Sequence, residues 1–434
     1  MSGPPTVPEQ TRPEQSAPGP RRAGFVLGLD VGSSVIRCHV YDRAARIRGS
    51  SAQKVKSLYP QAGWVEIDPD ILWLQFVAVI KESVKAAGLE MNQIVGLGIS
   101  TQRATFITWD KCKRQLKKKI AALGLLIPGC YISSQKVLNL PQIFQMPVQL
   151  DFLTHMSHNF GSVDEEIFGV PIPVVALVAD QQSAMFGECC FQTGDVKLTM
   201  GTGTFLDINT GNNPQQSVGG FYPLIGWKIG QEVVCLAEGN AGDTGTAIQW
   251  AQQLDLFTDA AETEKMAKSL EDSEGVYFVP SFSGLQAPLN DPCACASFMG
   301  LKSSTNKYHL VRAILESIAF RNKQLYEVMQ KEIHIPVRKI RADGGVCKNS
   351  FVMQMTSDLI NETIDRPVHV DMSCVGAASL AGLAVGFWTD KEELKKLRQS
   401  EIVFKPQKKW QEYEKNMGNW VKAVKRSMNW YNKT

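Results

Sequence analysis

Three glycine-rich segments, each at the end of an apolar run, constrain the fold of this chain more than any other feature. They are GLDVGSS at residues 28–34, MGTGTF at residues 200–205 and ADGGVCKN at residues 342–349. The first two segments are each followed by a second apolar run, a pattern typical of a strand, a glycine turn and a returning strand. Two such hairpins, each opening a mixed stretch of helices and strands, predict an α/β protein whose two similar domains face one cleft.

Apolar periodicity predicts the remaining elements. FVLGLDVG, IVGLGIS and VPIPVVALVA are expected to form buried strands of the first domain. A helix is expected to begin near Asp70 and to end at Gly88, because Asp68 and Pro69 are helix-start signals. Further helices are expected at about residues 245–254, 310–331 and 349–360.

The chain divides into a leader and two domains. Residues 1–23 contain six prolines among polar residues, so we expect a disordered leader. We place the first domain at residues 24–187 and the second at residues 188–434. Within the first domain, residues 111–156 show neither a helical nor a strand period and are therefore atypical.

Composition excludes several classes of protein. The 434 residues are 44% hydrophobic and 21% charged, which fits a soluble protein of two domains. The net charge of +3 is not gathered into a basic face, and no apolar run is long enough to cross a bilayer. The ten cysteines form no C-x-x-C pair, which disfavours structural zinc and favours reduced thiols. We therefore expect a cytoplasmic protein with no nucleic-acid partner and no membrane span.

The first glycine turn has the composition of a phosphate-binding turn. Gly32 would let a phosphate approach the backbone closely, and the N–H and hydroxyl groups of Ser33 and Ser34 could cradle it. Asp30, at the end of the preceding strand, would hold a phosphate-bound Mg²⁺ through water. The alternative for this segment alone is a plain hairpin turn.

The other two glycine segments extend the same argument to a nucleotide. Gly201 and Thr202 would form a second phosphate cradle on the opposite side of the cleft. No G-x-x-x-x-G-K-[ST] motif occurs, which disfavours a P-loop protein. Gly345 would leave a flat slot for adenine, and Asn349 would either cap the next helix or contact the nucleotide. The alternative is a tight turn between a strand and a helix.

Asp180 and Arg103 are the candidate residues for acceptor chemistry. Asp180 ends an apolar strand and begins a helix, so it could be an N-cap, a general base for an attacking hydroxyl, or both. Arg103 follows another strand end of the first domain. We expect it to lie beside Asp180 and to donate to acceptor hydroxyls, the alternative being a surface arginine.

The ordered motifs resemble those of the FGGY carbohydrate kinases, and within that family those of the glycerol kinases. They include GLDVGSSVIRCHVYD, GISTQRATFITW, ADQQSAMFG, MGTGTFLDINTG, PSFSGLQAPLNDP and ADGGVCKNSFVMQMTSDLI. The resemblance covers residues 25–110 and about 157–430. It implies the actin/hexokinase-like fold, in which two ribonuclease-H-like domains close over ATP, Mg²⁺ and a polyol. It also implies ATP-dependent phosphorylation of glycerol to glycerol 3-phosphate.

The resemblance implies roles for individual residues in three groups. Ser33, Ser34, Arg37 and Thr202 would lie on the phosphate turns. Arg103, Gln181 and Phe205 would bind glycerol, and Asp180 would be the catalytic base. The nucleotide contacts would be Gly245, Gln249, Gly345 and Asn349.

Two departures from the family pattern leave alternatives open. Ala104 stands where glycerol kinases have a glutamate, and the loss of one hydrogen bond to a polyol typically costs about 0.5–1.5 kcal/mol. Residues 111–156 replace a longer family segment that includes a W-Q-x-x-R motif and a glycerol-binding tyrosine. This replacement is either a shortened splice form or gene-model artefact, or an evolved change. The alternatives to a glycerol kinase are a catalytically impaired nucleotide-binding or regulatory protein and a kinase for another small polyol or sugar. A homo-oligomer also stays open.

Overall fold

The structure is a computed structural model that describes residues 24–60, 65–103 and 156–432. It also describes the backbone of three short strands at residues 108–110, 115–118 and 121–122. The expected leader, Ala104 and most of the atypical segment lie outside the described residues.

The described residues form strands and helices in alternation. The strands are β1 (Phe25–Val31), β2 (Val35–Tyr41), β3 (Ile47–Lys54), β4 (Ser57–Leu58), β5 (Val65–Ile67), β6 (Ile94–Thr101), β7 (Thr108–Asp110), β8 (Gln115–Lys118), β9 (Ala121–Ala122), β10 (Val174–Ala179), β11 (Asp195–Met200), β12 (Thr204–Gly211), β13 (Tyr222–Ile229), β14 (Glu232–Ala241), β15 (Tyr277–Val279), β16 (Ser297–Met299), β17 (Lys339–Asp343), β18 (Ile364–Pro367) and β19 (Ser400–Phe404). The helices are α1 (Pro69–Ala86), α2 (Glu165–Phe168), α3 (Asp180–Gly187), α4 (Thr244–Gln253), α5 (Glu262–Lys268), α6 (Lys307–Glu332), α7 (Ser350–Ile360), α8 (Met372–Ala384), α9 (Lys391–Leu397) and α10 (Glu414–Ser427).

The first sheet has five strands in the order β10-β6-β1-β2-β3. β1 and β2 form the expected antiparallel hairpin, whereas β1, β6 and β10 run parallel to one another. The carboxyl ends of these three parallel strands therefore lie at one edge of the sheet. Asp30, Arg103 and Asp180 lie at or just after these ends.

The second sheet has seven strands in the order β13-β14-β12-β11-β17-β18-β19. β11 and β12 form its antiparallel hairpin, and β17 runs parallel to β11 and ends at Asp343. Each sheet thus contains a hairpin, a third antiparallel strand next to it and two parallel strands on its other side. This shared plan confirms the expectation of two similar halves.

Each sheet has an outer face that is covered by its own helices. On the first sheet, Leu27, Leu29 and Ile36 pack against Val79 and Ile80 of α1. On the second sheet, the buried apolar residues of β11, β12 and β17 pack with α6 and α7. α3 and α8 lie between the two sheets, so the opposite faces of the sheets, here called the inner faces, are turned toward these helices.

Several helix boundaries agree with the expectations from sequence. Asp68 caps α1, because its Oδ1 accepts a hydrogen bond from the backbone N–H of Asp70 at 3.0 Å. The helices expected at residues 245–254, 310–331 and 349–360 are α4, α6 and α7, each within a few residues of its expected bounds.

The inner face of the first sheet is shaped by glycines. A Cβ atom at Gly28 would clash with the carbonyl oxygen of Cys374, and one at Gly98 would clash with that of Ala377. Cys374 and Ala377 belong to α8, so the glycines let this helix approach the strands closely. The contact fixes α8 over β1 and β6, the strands whose ends carry Asp30 and Arg103.

The described ranges contain neither a candidate membrane-spanning helix nor a paired cysteine. No helix there combines the length and the apolar character that crossing a bilayer requires. The eight cysteines in these ranges are free thiols.

Candidate active site between the two sheets

Arg103 and Asp180 lie side by side, as the sequence predicts. The Nε atom of Arg103 is 3.5 Å from Oδ1 of Asp180, and about a quarter of each side chain is exposed, 24% and 26% respectively. The two residues follow the neighbouring parallel strands β6 and β10, which explains how they meet. A partly exposed carboxylate and guanidinium at a strand edge can both reach a bound small molecule.

Asp180 is the first residue of α3 rather than its cap. The N-cap position is Ala179, which makes no side-chain hydrogen bond, and Oδ1 of Asp180 accepts from the N–H of Gln181 at 2.8 Å. Burial raises the pKa of Asp180, although the charge of Arg103 opposes the rise. A carboxyl group with a raised pKa is a stronger base than an ordinary aspartate once it is ionised.

The two phosphate turns face one another across the cleft. The hydroxyl oxygens of Ser34 and Thr202 lie 3.2 Å apart. Ser33 and Thr202 are exposed, and a Cβ at Gly201 would meet nothing closer than the carbonyl oxygen of Gly203 at 4.0 Å. The surface between the turns is therefore open to a ligand that both turns could contact.

The backbone N–H groups of Gly32 and Gly245 form hydrogen bonds that hold these turns in place. The N–H of Gly32 donates to the carbonyl oxygen of Val35 at 3.1 Å, which closes the first turn. The N–H of Gly245 donates to the carbonyl oxygens of Gly201 and Thr202 at 3.0 and 2.9 Å. A Cβ at Gly245 would lie 2.5 Å from the Gly201 oxygen. Gly245 therefore holds α4 against the second turn.

Arg37 lies beside Asp30 but has a partner of its own. The two residues are opposite each other on β2 and β1, and the Arg37 guanidinium forms an ion pair with Asp371, just before α8. The structure thus places Arg37 near the first turn and ties it to the helix between the sheets. Its expected contact with phosphate stays a prediction.

The third glycine segment has open space beside Gly345, and its expected role as an adenine slot stays a prediction. Gly344 has φ of +91°, and a Cβ there would lie 2.5 Å from the carbonyl oxygen of Met200. A Cβ at Gly345 would have nothing within 4 Å, so the space next to Gly345 is open. Gln249 is exposed on α4.

The side chain of Asn349 caps α7. Its Oδ1 accepts from the N–H groups of Phe351 and Val352 at 3.1 and 3.2 Å. Its Nδ2 donates to the hydroxyl of Thr263 at 3.0 Å. Of the two roles that the sequence left open for Asn349, the structure shows the cap.

Asp30 and Asp343 place two carboxyl groups on opposite sides of the cleft. Ser100 donates to Oδ1 of Asp30 at 3.1 Å, and the hydroxyl of Thr199 donates to Asp343. Burial raises the pKa of Asp30 to about 6, and the negative charges of Asp180 and Asp343 add to the rise.

These carboxyl groups suit a divalent cation. In the described ranges, no group of three or more His, Cys, Asp or Glu side chains could hold a metal ion by itself. A site with few protein ligands fits Mg²⁺, which usually keeps several waters and binds substrate phosphates as well. Asp30 is therefore the residue that could hold Mg²⁺ through water.

Sequence reasoning missed Glu238 and Tyr222. Glu238 is fully buried, and its Oε1 accepts from Nη2 of Arg103 at 2.7 Å. The Tyr222 hydroxyl donates to the same oxygen. The guanidinium carbon of Arg103 also lies 5.4 Å from the centre of the Phe205 ring. An isolated charge within the apolar strand CLAEGNA was the signal that could have singled out Glu238.

Sequence reasoning also missed Lys197. This side chain is fully buried, and its Nζ donates to Oε1 of Gln181 at 2.6 Å and to the hydroxyl of Thr199 at 2.7 Å. The same atom lies 2.9 Å from Oδ2 of Asp207. Lys197 thus fixes the orientation of Gln181, whose remaining polar group is the donating amide NH₂.

Family comparisons match both halves of the chain. Residues 25–123 match the N-terminal domain of the FGGY family of carbohydrate kinases, and residues 196–385 match its C-terminal domain. Because the two matches leave residues 124–195 unassigned, our boundary between residues 187 and 188 stays a prediction.

Curated relatives resemble the chain over nearly its full length. Glycerol kinase 5 of Bos taurus is 69% identical and that of Homo sapiens 66%, each alignment covering 98% of this chain and 99% of the relative. Glycerol kinase 2 of Thermotoga maritima is 33% identical over 94% of this chain and 99% of its own length. The alignment with the Bos taurus protein runs over 523 positions, more than the 434 residues of this chain. That relative therefore has residues with no counterpart here.

A solved structure agrees with these relatives. The crystal structure of Plasmodium falciparum glycerol kinase with ADP matches with a TM-score of 0.74 and 25% identity, covering 93% of this chain and 98% of that one. Xylulose kinase from Rhodospirillum rubrum shares the fold with a TM-score of 0.70, 18% identity and coverage of 93% and 98%. These neighbours confirm the predicted actin/hexokinase-like fold. Taken with the two domain matches and the curated relatives, they show that this chain is a member of the FGGY family of carbohydrate kinases.

Proposed function

We propose that this protein is an ATP-dependent glycerol kinase of the cytoplasm, which transfers the γ-phosphoryl group of ATP to glycerol and forms glycerol 3-phosphate. The observation that carries the proposal is the position of the Asp180–Arg103 pair in the same cleft as two facing phosphate turns, whose hydroxyls lie 3.2 Å apart. The names of the relatives supply glycerol as the acceptor.

Asp180 acts as the general base in this proposal. The glycerol oxygen forms a bond to the γ-phosphorus, the bond from that phosphorus to the bridging oxygen of ADP breaks, and the hydroxyl proton passes to the Asp180 carboxylate. Arg103 at 3.5 Å keeps the carboxylate oriented. Burial raises the pKa of Asp180, which strengthens the base as long as the group stays ionised.

Three side chains are suited to hold the acceptor. Arg103 can only donate hydrogen bonds, and Gln181 has its amide NH₂ left to donate because Lys197 occupies its oxygen. Both are therefore suited to the hydroxyl oxygens of a polyol. The ring of Phe205, packed against Arg103, offers an apolar surface to the carbon atoms.

The nucleotide would bind between the turns and the glycine slot. The backbone and hydroxyl groups of Ser33, Ser34, Gly201 and Thr202 are suited to the phosphates, and the open space at Gly345 to adenine. Asp30 would hold Mg²⁺ through water, and that ion, when bound, neutralises charge on the phosphates.

The test is a panel of acceptors with MgATP, read by mass spectrometry of the products. We expect phosphorylated glycerol, with lower turnover on other three- to five-carbon polyols and on sugars. A different phosphorylated acceptor would replace glycerol in the proposal. Binding of MgATP without any phosphorylated product would contradict the proposal and favour a nucleotide-binding protein without catalysis.

A further inference from the structure

The inner face of the second sheet carries an unbroken row of polar side chains. Strand register places them opposite one another in succession across six strands. In order from β13 to β18 they are Tyr222, Glu238, Asp207, Lys197, Arg341 and Asp365. Such a row is unexpected on a sheet face that lies against helices, because charged groups are costly to bury unless they are paired.

The middle of the row is fully buried and internally paired. Glu238, Asp207 and Lys197 have no exposed surface. Lys197 lies 2.9 Å from Asp207, and burial raises the pKa of Asp207, to which the facing Glu238 contributes. Within the described ranges Oε2 of Glu238 has no hydrogen-bond partner, so the hydrogen bonds that hold Glu238 are those that its Oε1 accepts from Arg103 and Tyr222.

Near each of its ends, the row is connected to a residue at or beside one end of α3. At one end, Glu238 binds Arg103. At the other end, Arg398 donates to Asp365 at 2.7 Å and to Glu188, the residue that follows α3, also at 2.7 Å. The row thus connects Arg103, which lies beside the catalytic base Asp180, to Glu188. Asp180 begins α3, and Glu188 directly follows its last residue.

Arg103 is consequently shared between the two halves. Its Nη2 is bound to Glu238 of the second sheet at 2.7 Å, while its Nε lies 3.5 Å from Asp180 of the first. The Tyr222 hydroxyl, also from the second sheet, donates to the same Glu238 oxygen. The shorter of the two contacts, to the fully buried Glu238, is the one that crosses the cleft.

We propose that Glu238 is a positioning residue that fixes the acceptor-binding Arg103 from across the cleft. This inference rests on the proposed function of the cleft. Without Glu238, the guanidinium loses its 2.7 Å contact to the second sheet, whereas its 3.5 Å contact with Asp180 does not depend on that sheet. Arg103 then binds acceptor hydroxyls poorly, while the nucleotide contacts are untouched.

The proposal also predicts a change at the base itself. The charged groups that act on Asp180 are Arg103 after β6, Glu238 on β14, Lys197 on β11 and Asp30 on β1. The negative charge of Glu238 helps to raise the pKa of Asp180, so removing that charge favours the ionised form of Asp180. The acid limb of the kcat profile should therefore move to lower pH in the variant.

The experiment compares Glu238→Gln with Glu316→Gln. Glu316 is a buried carboxylate outside the cleft that accepts from Arg312 at 2.7 Å, so it controls for the general cost of the same exchange. We expect Glu238→Gln to raise the KM for glycerol about 10- to 100-fold, the usual worth of a charged hydrogen bond, and to leave MgATP affinity within about twofold. An unchanged KM in a folded variant, or an acid limb that does not move, would overturn the proposal.

Two further measurements keep the test decisive. If Glu238→Gln does not fold, Tyr222→Phe removes only the phenolic donor and should raise the same KM about three- to tenfold; no rise would overturn the proposal. If the wild-type protein does not phosphorylate glycerol, the proposed function fails separately. Amide hydrogen exchange at residues 101–103 then tests whether Glu238 positions Arg103. Faster exchange in Glu238→Gln than in Glu316→Gln would support this role, and equal exchange would contradict it.

Discussion

The inner faces of the two sheets are built from different kinds of residue, although the sheets share one plan. On the first sheet, Gly28 and Gly98 remove side chains so that α8 can approach the strands. On the second sheet, the corresponding face carries the polar row that includes Glu238, Asp207 and Lys197. The packing of α8 on the first face fixes the positions of the strand ends, and the polar row on the second face orients side chains near those ends. The same sheet plan therefore has two different structural roles in the two halves.

The carboxyl groups nearest the two glycine turns also differ between the two sheets. In the first sheet, Asp30 of β1 is opposite Ser100 of the parallel strand β6 and accepts its hydrogen bond. In the second sheet the hydroxyl group is on the hairpin strand and the carboxyl group on the parallel strand. There Thr199 of β11 donates to Asp343 of β17, the residue opposite it. The two sheets therefore supply these two carboxyl groups, Asp30 and Asp343, from non-equivalent strands.

The largest loss of stability is expected from Lys197→Met in the polar row. The change leaves the buried Asp207 and the oxygen of Gln181 without their donor, and breaking a buried ion pair in this way costs about 3–5 kcal/mol. The free energy of unfolding in urea would measure it. The double variant Lys197→Met with Asp207→Leu should regain most of the stability but not turnover, since Gln181 stays unoriented. Recovery of turnover would contradict the role of Lys197.

A somewhat smaller loss is expected from Gly98→Ala on the first sheet. The added Cβ would clash with the Ala377 carbonyl, and overpacking against backbone costs about 1–3 kcal/mol or more. Gly418→Ala is the matched control, because nothing lies within 4 Å of a Cβ there and alanine favours helix α10 by roughly 0.5–1 kcal/mol. Equal stability of the two variants in urea would show that α8 is not closely packed on the glycines.

The third prediction concerns the dependence of stability on pH. Asp30 has a pKa of about 6 in the folded protein, against an ordinary value of 3.8, so the folded state binds the proton more tightly. The contribution of Asp30 to stability without ligands should therefore fall as pH rises from about 4 to 6 and then level off. The difference in pKa corresponds to at most about 3 kcal/mol. Asp30→Asn should make the fall in stability smaller in urea unfolding measured from pH 4 to 8, and the remaining fall comes from other buried carboxyl groups with a raised pKa, such as Glu188.

Mg²⁺ should have the opposite effect on Asp30, because it makes the ionised form at higher pH the more stable one. A cation near Asp30 favours its ionised form, so MgATP should stabilise the wild-type protein more at pH 7.5 than at pH 5. Asp30→Asn should reduce that gain, as measured by thermal unfolding with and without MgATP. An equal gain in both proteins would exclude Asp30 from the metal site.

The smallest effect is expected from Gly345→Ala. Nothing lies within 4 Å of a Cβ at this position, so the free energy of unfolding should change by less than about 0.5 kcal/mol. The methyl group would occupy the slot proposed for adenine and should weaken ATP binding about tenfold, or roughly 1.4 kcal/mol, by calorimetry. Unchanged ATP affinity would place the adenine elsewhere.

The sequence could predict those site residues that follow strand ends. Asp30, Arg103 and Asp180 each come after a recognisable apolar strand, and parallel strands bring their carboxyl ends together. The sequence could predict the position of Gly345 in the same way, because this glycine also follows a strand. Local sequence was sufficient because the positions depend on strand direction alone.

Glu238 and Lys197 could not be predicted in this way. Glu238 contacts Arg103 over a separation of 135 residues, and this contact depends on how the two sheets are packed together. Lys197 lies inside VKLTM, where strand alternation says which face it occupies but not what covers that face. For Asn349, sequence left two roles open, because the cap depends on the exact start of α7.

The most direct test of this account is MgATP-dependent phosphate transfer to glycerol by the wild-type protein, Asp180→Asn and Asp390→Asn. Asp390 caps α9 through the N–H of Glu393 at 2.8 Å and controls for the loss of an aspartate at a helix start. We expect turnover to fall at least about 10²- to 10⁴-fold in Asp180→Asn alone, with ATP binding retained. Equal turnover in the three proteins would contradict Asp180 as the base, and no turnover in the wild-type protein would contradict the proposed kinase.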